Sequence, residues 1–266
     1  MKLAWLLLCL ALAAPAYAVA PAFDPFAETG IDPQPNAAAP LERIFTDETG
    51  ARVTLTEIAR DKPILLVPVL HDCPNICGVT LQGMAQAIAA QNFRPGRDFT
   101  LIAFGIDPRE KPESAARSLR DLGKAFPSLL ASGGMHALTG SEEDIRSVTN
   151  ALGYRYAFNA EVGQYSHLAA TAVLSREGRL ARWLFGLSPE PVDLRLALTE
   201  AGEGLVGTIA DKLLLLCYHY DPVTGRYGPL VWTMLRVGGS TVALVLGGFI
   251  LTALVRERRR GAGVRS

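Results

Sequence analysis

Ile64-Leu65-Leu66-Val67-Pro68-Val69-Leu70, running directly into His71-Asp72-Cys73-Pro74-Asn75-Ile76-Cys77, is the stretch on which the fold turns. Its first half is apolar throughout and rich in Val, Ile and Leu, the composition of a strand buried on both faces. Its second half leaves that strand and opens a segment whose spacing predicts a helix to about Gln91. Strand, reactive loop and helix in that order is how α/β folds present their sites. Pro68 sits poorly in a sheet centre, where it removes a ladder hydrogen bond. It is expected to mark a bend at the strand's end that aims the loop.

Working outward, Arg52 to Leu55 suggests a short strand and Thr56 to Ile58 a turn of helix. Phe99 to Ile106 reads as a second buried strand, and Lys111 to Ala125 as a helix with Pro112 and Glu113 suited to its first turn. His136 to Leu138 reads as a third strand, and Ser141 as an N-cap with Asp144 three residues on. Ala169 to Leu174 and Leu180 to Phe185 form a hairpin around Arg176-Glu177-Gly178-Arg179, before an amphipathic helix from Val192 to Glu203. This order predicts one α/β, thioredoxin-like (glutaredoxin-type) domain over 43–205.

The ends suggest where that domain works. Lys2, the apolar run 3–14 and Ala16-Tyr17-Ala18 read as an export signal over 1–18, too short to span a bilayer. An uncleaved N-terminal anchor is the alternative. Positions 19–42 carry five prolines between 21 and 40 and read as an extended linker. From 237 to 255 no residue is charged, about 28 Å of helix at 1.5 Å per residue. Arg256, Arg258, Arg259 and Arg260 follow, a cluster that stays on the cytoplasmic side. The expectation is a transmembrane helix over 230–255, a juxtamembrane segment over 206–229 and a basic tail over 256–266. Orientation follows: a bacterial inner-membrane protein with its main domain in the periplasm. With 26 basic and 26 acidic residues the chain lacks the basic footprint of a nucleic-acid binder.

Cys73 and Cys77 are four apart, hence on one helix face, at a helix N-terminus where the dipole favours a thiolate. Two soft thiolates suit Cu(I), and a neutral imidazole adds a ligand that both copper oxidation states accept. His167, at the start of the penultimate strand, is the candidate third ligand. A structural disulfide is the commonest use of two exported cysteines, but a loop of three residues stabilises little. A redox pair is the stronger rival, although thioredoxin-like oxidoreductases usually space it by two residues.

Asp72-Cys73-Pro74-Asn75-Ile76-Cys77 resembles the C-P-x-x-C signature of the Sco/SenC family of cytochrome oxidase assembly proteins. Gly105-Ile106-Asp107-Pro108 is similar to that family's stretch after the second strand. Tyr165-Ser166-His167 falls where its copper-ligating histidine lies, and the likeness runs from about Ile44 to Ala201. The resemblance implies a thioredoxin fold that binds copper with Cys73, Cys77 and His167. It also implies a role in building the dinuclear copper centre of cytochrome c oxidase, by delivering copper or by keeping that centre's cysteines reduced. The implied partner is the oxidase's copper-bearing subunit or another apo-cuproprotein. Gly78 and Asn75 depart from the family's frequent proline and aspartate, and many members carry an N-terminal rather than a C-terminal anchor.

Other residues have two readings. Asp107 is a turn residue before Pro108 or an outer hydrogen-bond partner of the metal, the turn being favoured. His71 is a spare ligand or an exposed loop histidine, the latter favoured. Met84 and Met135 are expected to fill core gaps. Cys217-Tyr218-His219-Tyr220-Asp221-Pro222 forms a second constellation, in which Cys217 and His219 could hold Cu(I) transiently or simply belong to a segment lying on the bilayer. A copper chaperone is the leading functional reading. A thiol–disulfide oxidoreductase, in which Cys73 attacks and Cys77 resolves, is the second. A peroxidase of the same fold ranks last.

Overall fold

The computed structural model describes residues 28–32, 34, 37–72, 77–202, 218–221, 226–229, 236, 239–242 and 244–248. Its strands are β1 (Gly30–Ile31), β2 (Ile44–Thr46), β3 (Arg52–Thr54), β4 (Ile64–Val69), β5 (Thr100–Gly105), β6 (Met135–Leu138), β7 (Tyr154–Arg155), β8 (Ala157–Asn159), β9 (Gln164–Ser166), β10 (Ala170–Leu174), β11 (Leu180–Phe185), β12 (Tyr218–Asp221) and β13 (Arg226–Pro229). Its helices are α1 (Leu55–Ala59), α2 (Cys77–Ala89), α3 (Pro112–Ala125), α4 (Pro127–Leu130), α5 (Glu142–Ala151) and α6 (Pro191–Ala201).

The central sheet has the order β11-β10-β4-β5-β6. β4, β5 and β6 run parallel, while β10 and β11 are antiparallel additions. All six residues of β4 and all six of β5 are buried. Alternation divides their side chains between two cores. Leu65, Val67, Val69, Leu101 and Ala103 face α2, α3 and α6, meeting Met84, Ile88, Leu119, Leu122 and Leu194. Ile64, Leu66, Ile102 and Phe104 face the other side, meeting Phe45, Leu55, Ile145 and Val148. Period-2 side-chain alternation in a doubly covered sheet is why β4 reads as an unbroken apolar run. The expected thioredoxin-like α/β architecture is thus present, and Met84 and Met135 are buried in one core.

Pro68 does not end its strand. It lies inside β4, level with Phe104 of β5, and Val69 continues the ladder. Ile106 N–H donates to the Val69 carbonyl, so the odd positions of β4 turn their polar backbone toward β5. The amide that Pro68 lacks would face β10, whose pairing with β4 has already ended at Leu66. The missing donor therefore has no acceptor to disappoint.

Helix starts follow local chemistry. Thr54 and Glu57 form a reciprocal capping box on α1, and the Ser141 side chain accepts from Asp144 N–H at the head of α5. The 19–42 stretch, expected as linker, is docked where it is described. β1 pairs antiparallel with β7, Ala39 N–H donates to Gly178 O, and the Ala37 carbonyl accepts from Leu180 N–H. Ala37 and Ala39 are buried. A small side chain followed by extended backbone lets this segment hydrogen-bond to the β10–β11 turn. The strands β7, β8 and β9 between 154 and 166 carry no alternation strong enough to have been read from sequence.

Most of the 230–255 span lies outside the described residues. Positions 236, 239–242 and 244–248 are helical, and Val242, Leu244, Val245 and Leu246 are exposed. Among the described residues no helix is long and apolar enough to cross a membrane. Tyr218–Asp221 and Arg226–Pro229 pair antiparallel as β12 and β13, with His219 opposite Gly228. The 1–18 signal and the 256–266 tail also lie outside the described residues.

Candidate metal centre

The end of β4 is where the chemistry-bearing segments meet. The motif leaves the sheet there, and Cys77 is the first residue of α2. Because β10 runs antiparallel beside β4, the residues just before Ala170 lie next to the end of β4. His167 is one of them. The sheet thus brings the imidazole-bearing segment and the motif-bearing segment to one end of adjacent strands. Cys73, the side chain of Cys77, Cys217 and the side chain of His219 lie outside the described residues. Among the described residues, no cluster of three or more His, Cys, Asp or Glu side chains is arranged to hold a metal.

His167 is half-buried, and its Nδ1 lies 3.1 Å from the Leu168 carbonyl oxygen and 3.0 Å from Tyr154 Oη. The Tyr154 hydroxyl donates to the same carbonyl at 2.6 Å. Burial holds the His167 pKa below the usual imidazole value, against the pull of the Leu168 carbonyl. The imidazole is therefore neutral at pH 7, the form that ligates metals. Tyr154 is itself fixed: it is buried and stacks on Trp183 with ring centroids 5.4 Å apart.

Beyond Tyr154 the aromatic cluster continues outward. Tyr156 packs on Tyr165 at 5.5 Å, and Tyr165 meets the exposed Phe158 edge-on at 5.3 Å. The Arg109 guanidinium sits 4.7 Å from the Phe158 ring centre and grips Asp107 through both carboxylate oxygens. Burial alone would raise Asp107, but the Arg109 side chain and amide hold its pKa below the usual range. Asp107 is thus a turn residue tied to a neighbouring cation, as its favoured reading required.

Two groups under the motif were not legible in the sequence. His71 is buried rather than exposed, correcting the loop reading. Its Nε2 is 3.0 Å from the Leu138 carbonyl, while Nδ1 is buried with no hydrogen-bond partner among the described residues. Burial lowers its pKa, so it too is neutral. Gly105 makes room for the ring, since a β-carbon there would lie 3.0 Å from His71 Nε2.

The second is Glu110, whose Oε1 accepts from the Asp72 amide at 2.8 Å and whose Oε2 is buried without a partner among the described residues. Burial, with added repulsion from Asp107 and Asp72, pushes Glu110 up to about 7. Asp72 goes the other way, held low first by the Ser114 hydroxyl and then by Arg117. A Glu in a charged turn gives no sequence signal of burial, because only the tertiary placement of that turn against the backbone of residues 71–72 removes it from water.

The family model SCO1/SenC matches residues 35–192. Among solved structures, a putative electron transfer protein from Aquifex aeolicus VF5 is 22% identical, with 64% of this chain and 95% of that one covered at a TM-score of 0.57. Arabidopsis thaliana ScoI, solved with copper bound, is 18% identical, covering 67% of this chain and 99% of its own at a TM-score of 0.48. A Sco family protein described as carrying a disulfide switch, BsSco, is 20% identical, covering 64% and 96% at 0.49. No curated protein matches.

Proposed function

This chain belongs to the SCO1/SenC family, and from that premise we propose that it is an exported, membrane-anchored copper chaperone. It binds one copper ion through Cys73, Cys77 and His167 and assists assembly of the dinuclear copper centre of cytochrome c oxidase. The observation that carries the reading is His167: a desolvated, neutral imidazole whose Nδ1 is committed to Leu168 and Tyr154, at the sheet end from which the cysteine motif departs.

The donor set fits the cargo. Two thiolates and an imidazole suit Cu(I) and tolerate Cu(II), whereas a carboxylate-rich set would favour harder ions. Binding deprotonates the thiols, so uptake releases protons and weakens in acid. The membrane placement rests on the sequence ends: the export signal, the uncharged 237–255 span and the arginines after it. It puts the domain in the periplasm, the C-terminus in the cytoplasm and Cys217 and His219 near the bilayer, where they serve as a transient copper stop. Protease added to spheroplasts should digest the domain and spare the 256–266 tail; the reverse pattern sinks this topology.

Full-length protein purified anaerobically should carry about one copper per chain on the three-ligand argument. His167→Ala should lower Cu(I) affinity about 100-fold or more while thiol–disulfide exchange persists, since a ligand counts for more than the outer-shell range. Zinc in place of copper, or an unchanged affinity in His167→Ala, rejects the chaperone. A second reading, reduction of the oxidase's cysteines, draws on Cys77 opening the thirteen-residue helix α2, whose N-terminus favours a thiolate. It requires rapid exchange with a disulfide peptide that is lost in Cys73→Ser.

A further inference from the structure

Taking the copper site proposed above as given, we infer that His71 joins His167 as a second imidazole ligand of the metal. Strand register sets the two side by side. β10 runs antiparallel to β4, with Ala172 opposite Leu66. Continued past the end of the pairing, five residues on from Leu66 and five back from Ala172, that register brings His71 level with His167. Both histidines therefore belong to the same end of two adjacent strands, the end from which the cysteine motif leaves the sheet.

The His71 ring is set for ligation. The Leu138 carbonyl can only accept, and it lies 3.0 Å from Nε2, so Nε2 carries the proton. A second proton on Nδ1 would create a buried cation with an unmatched donor, which desolvation disfavours. Nδ1 therefore holds a lone pair, buried and without a hydrogen-bond partner among the described residues. The residue is 9% exposed, and Gly105 lies so close that a β-carbon there would be 3.0 Å from both Cδ2 and Nε2. Nδ1 is the ring vertex opposite that edge, so it faces away from β5. Leaving a buried acceptor unpaired is costly, and an apolar side chain would fill the same space without that cost. A bound cation accounts for the nitrogen. Metal-ligating histidines commonly donate their other N–H to a backbone carbonyl, and Leu138 supplies one here. Imidazole suits copper, and a second one closes a coordination sphere that two thiolates and a single imidazole leave open.

The test uses the full chain in detergent micelles, reduced and labelled with ¹⁵N at histidine, before and after anaerobic loading with Cu(I). Each ring is assigned through its own backbone resonances, so no variant has to fold. Long-range ¹⁵N–¹H correlations of the copper-free protein should show His71 protonated at Nε2 with a bare Nδ1. On loading, the Nδ1 resonance of His71 should leave the unprotonated range, and a ring nitrogen of His167 should move with it. In His71→Gln the Cu(I) affinity, read by competition with a chromophoric chelator, should fall about tenfold or more. A copper-free His71 protonated at Nδ1 overturns the inference, as does an unchanged affinity in His71→Gln. A His71 Nδ1 that stays put while His167 shifts also overturns it and leaves the three-ligand copper site standing. If His71 shifts and His167 does not, His71 is a ligand and the copper assignment of His167 falls. If neither ring responds to copper, both fall together.

Discussion

Glu110 shows how one side chain couples the reactive turn to pH. Its carboxyl is raised to about 7 from an ordinary value of 4.5, so the folded state holds a proton that the unfolded state has released between those limits. Stability contributed by this group is therefore lowest above pH 7 and recovers as pH falls toward 4.5, the reverse of a salt-bridged carboxylate. Ionising it in place costs on the order of 3 kcal/mol. Glu110→Gln keeps an acceptor for the Asp72 amide and removes the charge. Its stability advantage over wild type should approach that figure at pH 8 and vanish near pH 5 in urea titrations; a pH-independent difference would refute the assignment. His71 and His167 act in the opposite sense. Both are buried with lowered pKa, so each subtracts stability as pH drops below 6.5. Comparing the variant with wild type at each pH cancels their contribution.

Among the elements, α2 matters most because it begins at Cys77. Its packing depends on Gly83, where a β-carbon would collide with the Leu187 carbonyl and lie 2.8 Å from Ser188 Cβ in the β11–α6 loop. Helix propensity alone predicts that alanine stabilises an interior glycine by about 1 kcal/mol. Overpacking of a backbone contact costs about 1–3 kcal/mol and should win. Gly83→Ala is expected to be net destabilising by about 1 kcal/mol or more in chemical denaturation, and a stabilised variant would show that this contact is soft. Caps are simpler. Thr54→Ala removes one half of the α1 capping box, exposed and local, and should cost about 1 kcal/mol with no effect on copper binding.

Over the whole molecule, the two cores on either side of one sheet account for nearly all buried apolar side chains between Ala37 and Ala201. The sheet is rigid at its centre, and its C-terminal end carries the motif, Glu110 and the approach to His167. What completes the fold is the N-terminal segment. Deleting residues 28–34 removes the β1–β7 pairing and leaves Tyr154 supported on one side only. Loss of these few hydrogen bonds and the half-buried Ile31 should cost about 1–2 kcal/mol. Amide exchange at Tyr154 and Arg155 should quicken while exchange in β4 and β5 stays slow. Equal protection at all four would mean that β1 is ornamental to the domain.

The sequence by itself determined the sheet strands and the helices that cover them, because burial on two faces writes unbroken apolar runs and helix caps write local polar signals. Ser141, Thr54, Pro112 and the hairpin at 176–179 act within a few residues of themselves, so their roles are readable in one dimension. It also placed Cys73 and Cys77 on one motif and singled out His167. Only the tertiary structure decided that Pro68 belongs inside a central strand, since that depends on where the pairing of β10 stops. It likewise buried His71, raised Glu110, docked the proline-rich stretch at 37–39 and brought Tyr154 to His167. Each of these needs a partner far away along the chain, and desolvation or a hydrogen bond between distant residues leaves no mark on the residues' own neighbours.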